Sequence, residues 1–382
     1  MSRFEDALLR ELDVKTQGAD YWCLKLSWAA YQTRVGATES VKEILAAARN
    51  GNFENMDARL YSRINYVEGL YEFFNTGIQA ALPKFHRARA IASGCELGDH
   101  IYPLINAWLA SLYRNLGEWS NMLRAMNVAL ESGHQKSAEV IFRLALVIAD
   151  IYQEVEQYDQ SAFWYSIARD YALQLGDDAA LSAMLYNRAS ILIYNLRLQC
   201  ANGGMVSLDD GRIALEAASA QNYTRYINDK SMGWGFDLMR GQLMMLKGDM
   251  GAALSELTSS RADVALIQWP EVSVLREADV FRCRVRTGSL ADEERVVVAR
   301  EILERIKSID SHGDKAIALH SIAIGLGDID QALVEDLFQA SRRELNLIDG
   351  DRRNEMDCIA EFMSKYGAQV RHLVELHKLK NG

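Results

Sequence analysis

The chain has 382 residues, which is long for a single hydrophobic core, so two or three domains or a repeat array are expected. Hydrophobic residues make up 49% and charged residues 25%, a composition that excludes a disordered chain. The formal net charge is −10 with both signs interspersed, which argues against nucleic acid as the main partner.

The chain begins with MSRFEDALLRELD, an acidic segment without an apolar signal core. No stretch of about 18 apolar residues follows, so we expect a cytoplasmic protein without membrane insertion. Five scattered cysteines without a CxxC pair indicate neither a disulfide framework nor a zinc ribbon. Only three prolines occur, each near a predicted first helical turn, which suits a chain that is nearly all helix.

A repeat of two helices emerges between Ile105 and Gly133. Apolar residues recur at helical spacing up to Leu116, and a turn follows at Gly117-Glu118-Trp119. A second apolar stripe then runs through Met122, Met126, Ala129 and Leu130. The same plan returns with a turn at Glu156-Gln157-Tyr158. Four further copies turn at Thr76-Gly77-Ile78, Lys247-Gly248-Asp249, Thr287-Gly288-Ser289 and Leu326-Gly327-Asp328.

Equivalent turn positions fall at 76, 117, 156, 248, 288 and 327, so most units are 39 to 41 residues long. The one interval of 92 predicts two units plus an insertion, which is visible as CANGGMVSLDDG. The period places a further turn at Gly367. Ala81, Ala129 and Ala168 occupy equivalent positions, where we expect tight contacts between helices. Together the units predict eight or nine antiparallel helix pairs and no sheet.

These residues resemble the tetratricopeptide repeat (TPR), which has a small residue and a Tyr in its first helix, a turn of the Gly-Asp-aromatic type, and then Ala, an aromatic residue and Ala. The longer unit, with second helices that end in Leu-Gly-Asp, resembles the repeats of bacterial sensory and regulatory proteins. These include peptide-responsive regulators, maltose-type transcription activators and some diguanylate cyclases. The resemblance implies an all-α fold, a right-handed superhelix (α-solenoid) of stacked antiparallel helix pairs, whose concave wall is built mainly from the first helix of each pair.

On this basis we expect three parts. Residues 1–56 form an N-terminal helical cap, with a helix pair at 20–50. Residues 57–346 form the TPR-like array, with the insertion loop near 201–208. Residues 347–382 form C-terminal capping helices, with a helix pair at 351–378.

Polar interruptions of apolar helices are the candidate binding residues. In the segment 183–198 they are Asn187, Arg188, Tyr194, Asn195 and Arg197, whose forked donors suit backbone amides or carboxylates. Two earlier units contribute Arg114, Asn115 and Asp150, with Arg143 and Gln153 beside them. The alternative is that these groups cap helix ends, bond within the fold or face solvent.

Catalytic and cofactor motifs are missing from the sequence. It contains no GxGxxG, no GxxxxGK[ST], no HExxH and no GxSxG, and no cysteine lies in a nucleophile motif. We therefore expect no enzyme activity, no cofactor and no metal.

Three hypotheses follow. The first is a scaffold that binds a peptide or protein partner in its concave groove. The second is a sensory or regulatory domain that controls an output domain in cis or in trans, for example a diguanylate cyclase or a transcription regulator. The third is a helical enzyme, which the missing motifs disfavour. All three hypotheses are compatible with a homodimer.

Overall fold

The computed structural model describes residues 2–15, 18–50, 58–94, 101–131, 137–204, 211–231, 233–259 and 269–381. Within these ranges the chain forms seventeen α-helices and no strand. None of the described helices is long and apolar enough to cross a membrane.

The chain divides into two compact units. Unit 1 comprises Met1–Met184, Tyr223–Ser231 and Arg353–Gly382, and unit 2 comprises Leu185–Asn222 and Met232–Arg352. The first nine helices are α1 (Arg3–Val14), α2 (Ala19–Arg34), α3 (Thr38–Asn50), α4 (Ala58–Asn75), α5 (Ile78–Ala92), α6 (Ile101–Asn115), α7 (Trp119–Glu131), α8 (Ala138–Glu154) and α9 (Tyr158–Leu175). The others are α10 (Asp178–Ala201), α11 (Arg212–Tyr226), α12 (Gly233–Leu246), α13 (Met250–Leu257), α14 (Pro270–Arg286), α15 (Asp292–Ile306), α16 (His312–Leu326) and α17 (Gln331–Asn381).

After α1, the described helices follow one another as eight pairs, from α2 with α3 to α16 with α17. This confirms the all-α, TPR-like fold of stacked antiparallel helix pairs. Each pair can bury its apolar faces only against its partner helix and its neighbours, which is the reason that such units stack. The first helices of neighbouring pairs also pack on one another: α2 on α4, α4 on α6 and α6 on α8 in unit 1, and α12 on α14 and α14 on α16 in unit 2.

The turns within the pairs confirm the repeat register. All six turns predicted from the sequence contain a residue with positive φ. Five of these residues are glycines, which adopt positive φ without steric cost. They are Gly77, Gly117, Gly248, Gly288 and Gly327. In the sixth turn the residue is Glu156, with φ of 63°.

Small side chains let the two helices of a pair approach closely. Ala81, Ala129 and Ala168 each have no exposed surface, as their equivalent positions predicted. In the first helices, glycine plays the same part. A β-carbon on Gly241 of α12 would lie 2.6 Å from the Leu257 side chain of α13.

The turn predicted at Gly367 is wrong, and so is the helix pair predicted at 351–378, because α17 continues without a break from Gln331 to Asn381. A glycine inside a helix costs only about 1 kcal/mol relative to alanine, which packing can offset. Here the buried side chains of Ile359, Phe362 and Tyr366 supply that packing. The predicted loop near 201–208 falls outside the described residues beyond Gly204. The division into cap, array and capping helices stays a prediction.

Candidate binding surface

The residues predicted to bind a partner all come from first helices, and three of them lie in unit 1. Arg114 of α6 forms ion pairs with Glu154 and with Glu355, and its Nε lies 3.0 Å from Oε1 of Glu355. Asp150 of α8 is buried and accepts a hydrogen bond of 2.7 Å from the hydroxyl of Tyr165. Asn115 is exposed at the end of α6. Arg114 and Asp150 therefore have partners inside unit 1.

The other five predicted residues lie on the unit 2 part of α10. Arg188 pairs with Glu216 of α11 at 2.9 Å. The preceding residue, Asn187, is half-buried. Asn195 is buried and accepts a hydrogen bond of 3.3 Å from Arg352 of α17.

Tyr194 and Arg197 contact two further helices. The hydroxyl of Tyr194 lies 1.6 Å from the place that a β-carbon on Gly313 of α16 would take. Arg197 pairs with Asp279 of α14 at 2.6 Å, and both side chains are buried. The polar groups of α10 thus point to several neighbouring helices and do not form one patch. Their role in binding a partner stays a prediction.

A cavity lies between four first helices of unit 2, α10, α12, α14 and α16. Its volume is about 20 Å³, which is room for about one water molecule. Apolar side chains and polar groups both line it: Arg197, Cys200, Gln242, Met245, Leu246, Arg282, Ile317, His320 and Ser321. We call it the α10–α16 pocket. It contains one of the predicted residues, Arg197.

Arg282 gives the pocket its charge. Its Nε is buried without a hydrogen-bond partner, and the described residues offer its guanidinium neither an ion pair nor a hydrogen bond. Burial lowers the pKa of Arg282, and the positive charge of Arg197 adds to this effect, whereas Asp279 opposes it. The guanidinium of an arginine side chain keeps its charge at neutral pH.

The carboxylate nearest to these arginines is engaged at one of its two oxygens, whereas its buried Oδ2 has no hydrogen-bond partner. Asp279 accepts from Arg197 at 2.6 Å and from the hydroxyl of Ser321 at 3.1 Å, both at Oδ1. Burial raises its pKa, and Arg197 is the main group that opposes the rise. Asp279 forms its ion pair with Arg197 and acts on Arg282 only through its charge, without a contact in the described residues.

His320 is a neutral group in this pocket. Burial lowers its pKa to about 4, with further contributions from Arg282 and Arg197. Its Nδ1 is buried without a partner. Cys200 also stays protonated, because burial raises the pKa of its thiol. The pocket therefore offers charged and neutral donors, and it lacks an activated thiolate.

Arg282 and His320 were not singled out by the sequence. Arg282 stands between Arg276, Arg284 and Arg286 on α14, and only the packing of α14 decides which of them faces the pocket. Its position six residues before the turn at Gly288 places it on a first helix. This position on a first helix was the one feature of the sequence that could have identified Arg282 as a candidate residue. The described residues include no group of three or more His, Cys, Asp or Glu side chains placed to hold a metal.

Comparison with known proteins gives a remote likeness. No protein-family model matches the chain, and no curated protein matches it. Among the solved structures that are similar to it is the Rap protein complexed with competence and sporulation factor. That likeness has a TM-score of 0.37 and 12% sequence identity, and it covers 98% of this chain and 92% of the Rap chain. So remote a likeness bears on neither the ligand nor the function of the present chain.

Proposed function

We propose that the chain is a non-enzymatic, cytoplasmic TPR-like scaffold that binds a peptide or protein segment, and that the α10–α16 pocket receives an acidic side chain of this segment. The observation that carries the proposal is Arg282, a largely buried cation in a small pocket between successive first helices. Its Nε has no acceptor among the described residues.

The physical argument starts from the cost of burying a cation. A buried charge without a counter-charge is unfavourable, and a carboxylate that enters the pocket would remove part of that cost. A carboxylate also fits the forked donors of a guanidinium. The pocket volume of about 20 Å³ holds only about one water molecule, so a carboxylate enters as the flexible side chains of Gln242, Met245 and Arg282 move apart. The apolar Met245, Leu246 and Ile317 can then pack on its methylene groups.

The remaining predicted residues belong to the same proposal in a secondary role. Asn187 and Arg188 lie on α10 before the pocket, in the same unit 2. Amide and guanidinium groups of this kind bind the backbone of an extended segment. Four of the predicted residues bond or pack within the fold, namely Arg114, Asp150, Tyr194 and Asn195. We propose that these four side chains hold the first helices in position.

The test uses a displayed library of random 12-residue peptides and the full chain. Peptides retained by the wild type should be enriched in Asp or Glu at one position. Replacing Arg282 with Met keeps much of the side-chain volume and removes the charge. A hydrogen bond to a charged group is worth about 1.5–3 kcal/mol, so binding should weaken by roughly 10- to 150-fold.

The matched control is Arg286→Met, because Arg286 lies on the same helix with an exposed side chain. This variant should bind as the wild type does. Retention of the selected peptides by Arg282→Met at wild-type affinity would exclude the pocket as the acidic subsite. Failure of the wild type to retain any peptide or folded protein domain would contradict the scaffold itself.

A further inference from the structure

Unit 2 contains a second and larger cavity, apart from the α10–α16 pocket. Residues of α14 and α15 line it, together with Thr258, which directly follows α13. Its volume is about 430 Å³. Sites for small molecules usually have about 300–1,000 Å³, so this cavity has room for such a ligand. We call it the α13–α15 cavity.

Apolar side chains form one part of the lining. Phe281 of α14, Leu290 of the following turn and Ile302 of α15 are buried, and Val280 and Val298 are half-buried. A polar ligand alone would leave this surface without a partner. An aliphatic or aromatic group in the cavity would remove both surfaces from water, which is favourable. The lining therefore suits a ligand with an apolar body.

Three of the charged side chains in the lining already have partners within the fold. Arg276 is buried, and its Nε donates a hydrogen bond of 2.5 Å to the backbone carbonyl of Leu257. Glu277 of α14 and Arg305 of α15 form an ion pair. Arg305 also donates to the hydroxyl of Ser273 at 3.3 Å. These three groups hold the walls of the cavity together.

The two other charged side chains of the lining are Arg284 of α14 and Glu301 of α15, and both are exposed. They have opposite charges and line the same cavity, yet no ion pair joins them. Within the described residues, neither side chain forms an ion pair or a hydrogen bond with any other group. A guanidinium fork fits a carboxylate, and a carboxylate accepts hydrogen bonds from an ammonium group. A ligand that carries both groups could contact both side chains.

We propose that the α13–α15 cavity binds a free amino acid with a large apolar side chain, of the size of leucine or phenylalanine. Its side chain lies on Val280, Phe281 and Val298, its carboxylate pairs with Arg284, and its ammonium group pairs with Glu301. A residue inside a peptide has lost both charges, and a terminal residue keeps only one. The two opposite charges of the lining therefore favour the free amino acid. This site is separate from the acidic subsite proposed above and does not depend on it.

Isothermal titration calorimetry of the full chain tests the proposal with L-phenylalanine and two derivatives. N-acetyl-L-phenylalanine lacks the ammonium charge, and L-phenylalaninamide lacks the carboxylate charge. Phenylalanine should bind, and each derivative should bind about three- to tenfold more weakly, between the values for an exposed ion pair and a buried charged hydrogen bond. Failure of both phenylalanine and leucine to bind at millimolar concentration would overturn the proposal. Equal affinity for either derivative would overturn it as well, because one of the two charges would then play no part.

Variants of the two charged residues locate the site. Arg284→Gln should weaken the binding of phenylalanine and leave that of phenylalaninamide unchanged, because the amide already lacks the partner of Arg284. Glu301→Gln should weaken phenylalanine and leave N-acetylphenylalanine unchanged for the same reason. The controls Arg286→Gln and Glu304→Gln change exposed residues of the same two helices outside the lining, and they should bind phenylalanine as the wild type does. If Arg284→Gln and Glu301→Gln bind phenylalanine at wild-type affinity, the α13–α15 cavity is not the site.

Discussion

The ring of Phe85 packs directly on the backbone of Gly69. A β-carbon on Gly69 would lie 2.8 Å from Cδ2 of that ring, closer than real contacts of this kind. Gly69 is on α4 and Phe85 is on α5, so this contact joins the two helices of one pair. Gly241 and Leu257 repeat it in unit 2. The close approach explains why glycine is used inside a helix that it otherwise weakens.

We predict that Gly69→Ala lowers the free energy of unfolding by about 1–3 kcal/mol, because the new methyl group overpacks the contact with Phe85. Urea denaturation followed by circular dichroism measures the change. Gly350→Ala in α17 is the control, since a β-carbon there meets nothing within 4 Å. That variant should gain about 0.4–1 kcal/mol. Equal stability of the two variants would contradict the close packing of α4 and α5.

A second prediction concerns Glu156, the one non-glycine residue among the six positive-φ turn positions. Its φ of 63° is strained for a residue with a β-carbon, at roughly 1–2 kcal/mol. Glycine removes that strain, although it adds about 0.5–1 kcal/mol of unfolded-state entropy. Glu156→Gly should therefore raise the free energy of unfolding by up to about 1 kcal/mol. The same change at exposed Glu118, which follows a turn glycine, should not stabilise the chain. A loss of stability in Glu156→Gly would show that the Glu156 side chain outweighs the strain.

The sequence predicts the parts of this fold that are determined locally. A glycine is the residue that most readily adopts positive φ, so Gly117 and Gly248 mark turns wherever the surrounding chain is helical. Alanines at a constant distance from those turns predict the close contacts, as Ala129 and Ala168 confirm. Gly367 misled the prediction for the same reason: a glycine permits a turn without requiring one, and the packing of α17 decides.

The sequence predicts the candidate sites less completely than it predicts the fold, because the sites depend on contacts between segments that are distant in sequence. Asp279 pairs with Arg197 across 82 residues, and Arg143 stacks on Trp108 from another helix pair. Periodicity identifies which helix carries a polar residue, but not which neighbour it meets. An unsatisfied donor such as Arg282 is recognised only after every other partner has been assigned.

The buried pair of Arg197 and Asp279 gives a third prediction. Removing one partner leaves an unpaired charge in a place that water reaches poorly, which costs about 3–5 kcal/mol. Arg197→Met should therefore be strongly destabilising. The double variant Arg197→Met with Asp279→Leu should recover a large part of the loss. Urea denaturation gives the loss of unfolding free energy for each variant. If the losses in the two single variants add up to the loss in the double variant, Arg197 and Asp279 are not coupled, which would contradict the contact between α10 and α14.

The fourth prediction concerns pH and the His320 side chain. His320 packs edge-on against Phe338, with ring centres 5.5 Å apart, and it faces the charges of Arg197 and Arg282. Burial and these charges lower its pKa from the ordinary 6.5 to about 4. The unfolded chain thus binds more protons than the folded chain between these two values, and stability rises with pH across this window. The contribution is fully present above pH 6.5 and is lost as pH falls through about 4.

At 1.36 kcal/mol per pH unit, the loss for His320 is at most about 3 kcal/mol, and solvent that reaches the ring makes it smaller. Urea denaturation of the wild type and of His320→Gln at several pH values between 4 and 7 measures it. Glutamine stays neutral throughout, so the difference in free energy of unfolding between the two proteins should shift with pH in favour of the variant as the solution becomes more acidic. Carboxylates that titrate in this range affect both proteins alike and cancel in the difference. A constant difference would mean that His320 keeps its ordinary pKa in the folded chain, which would contradict its burial beside the two arginines.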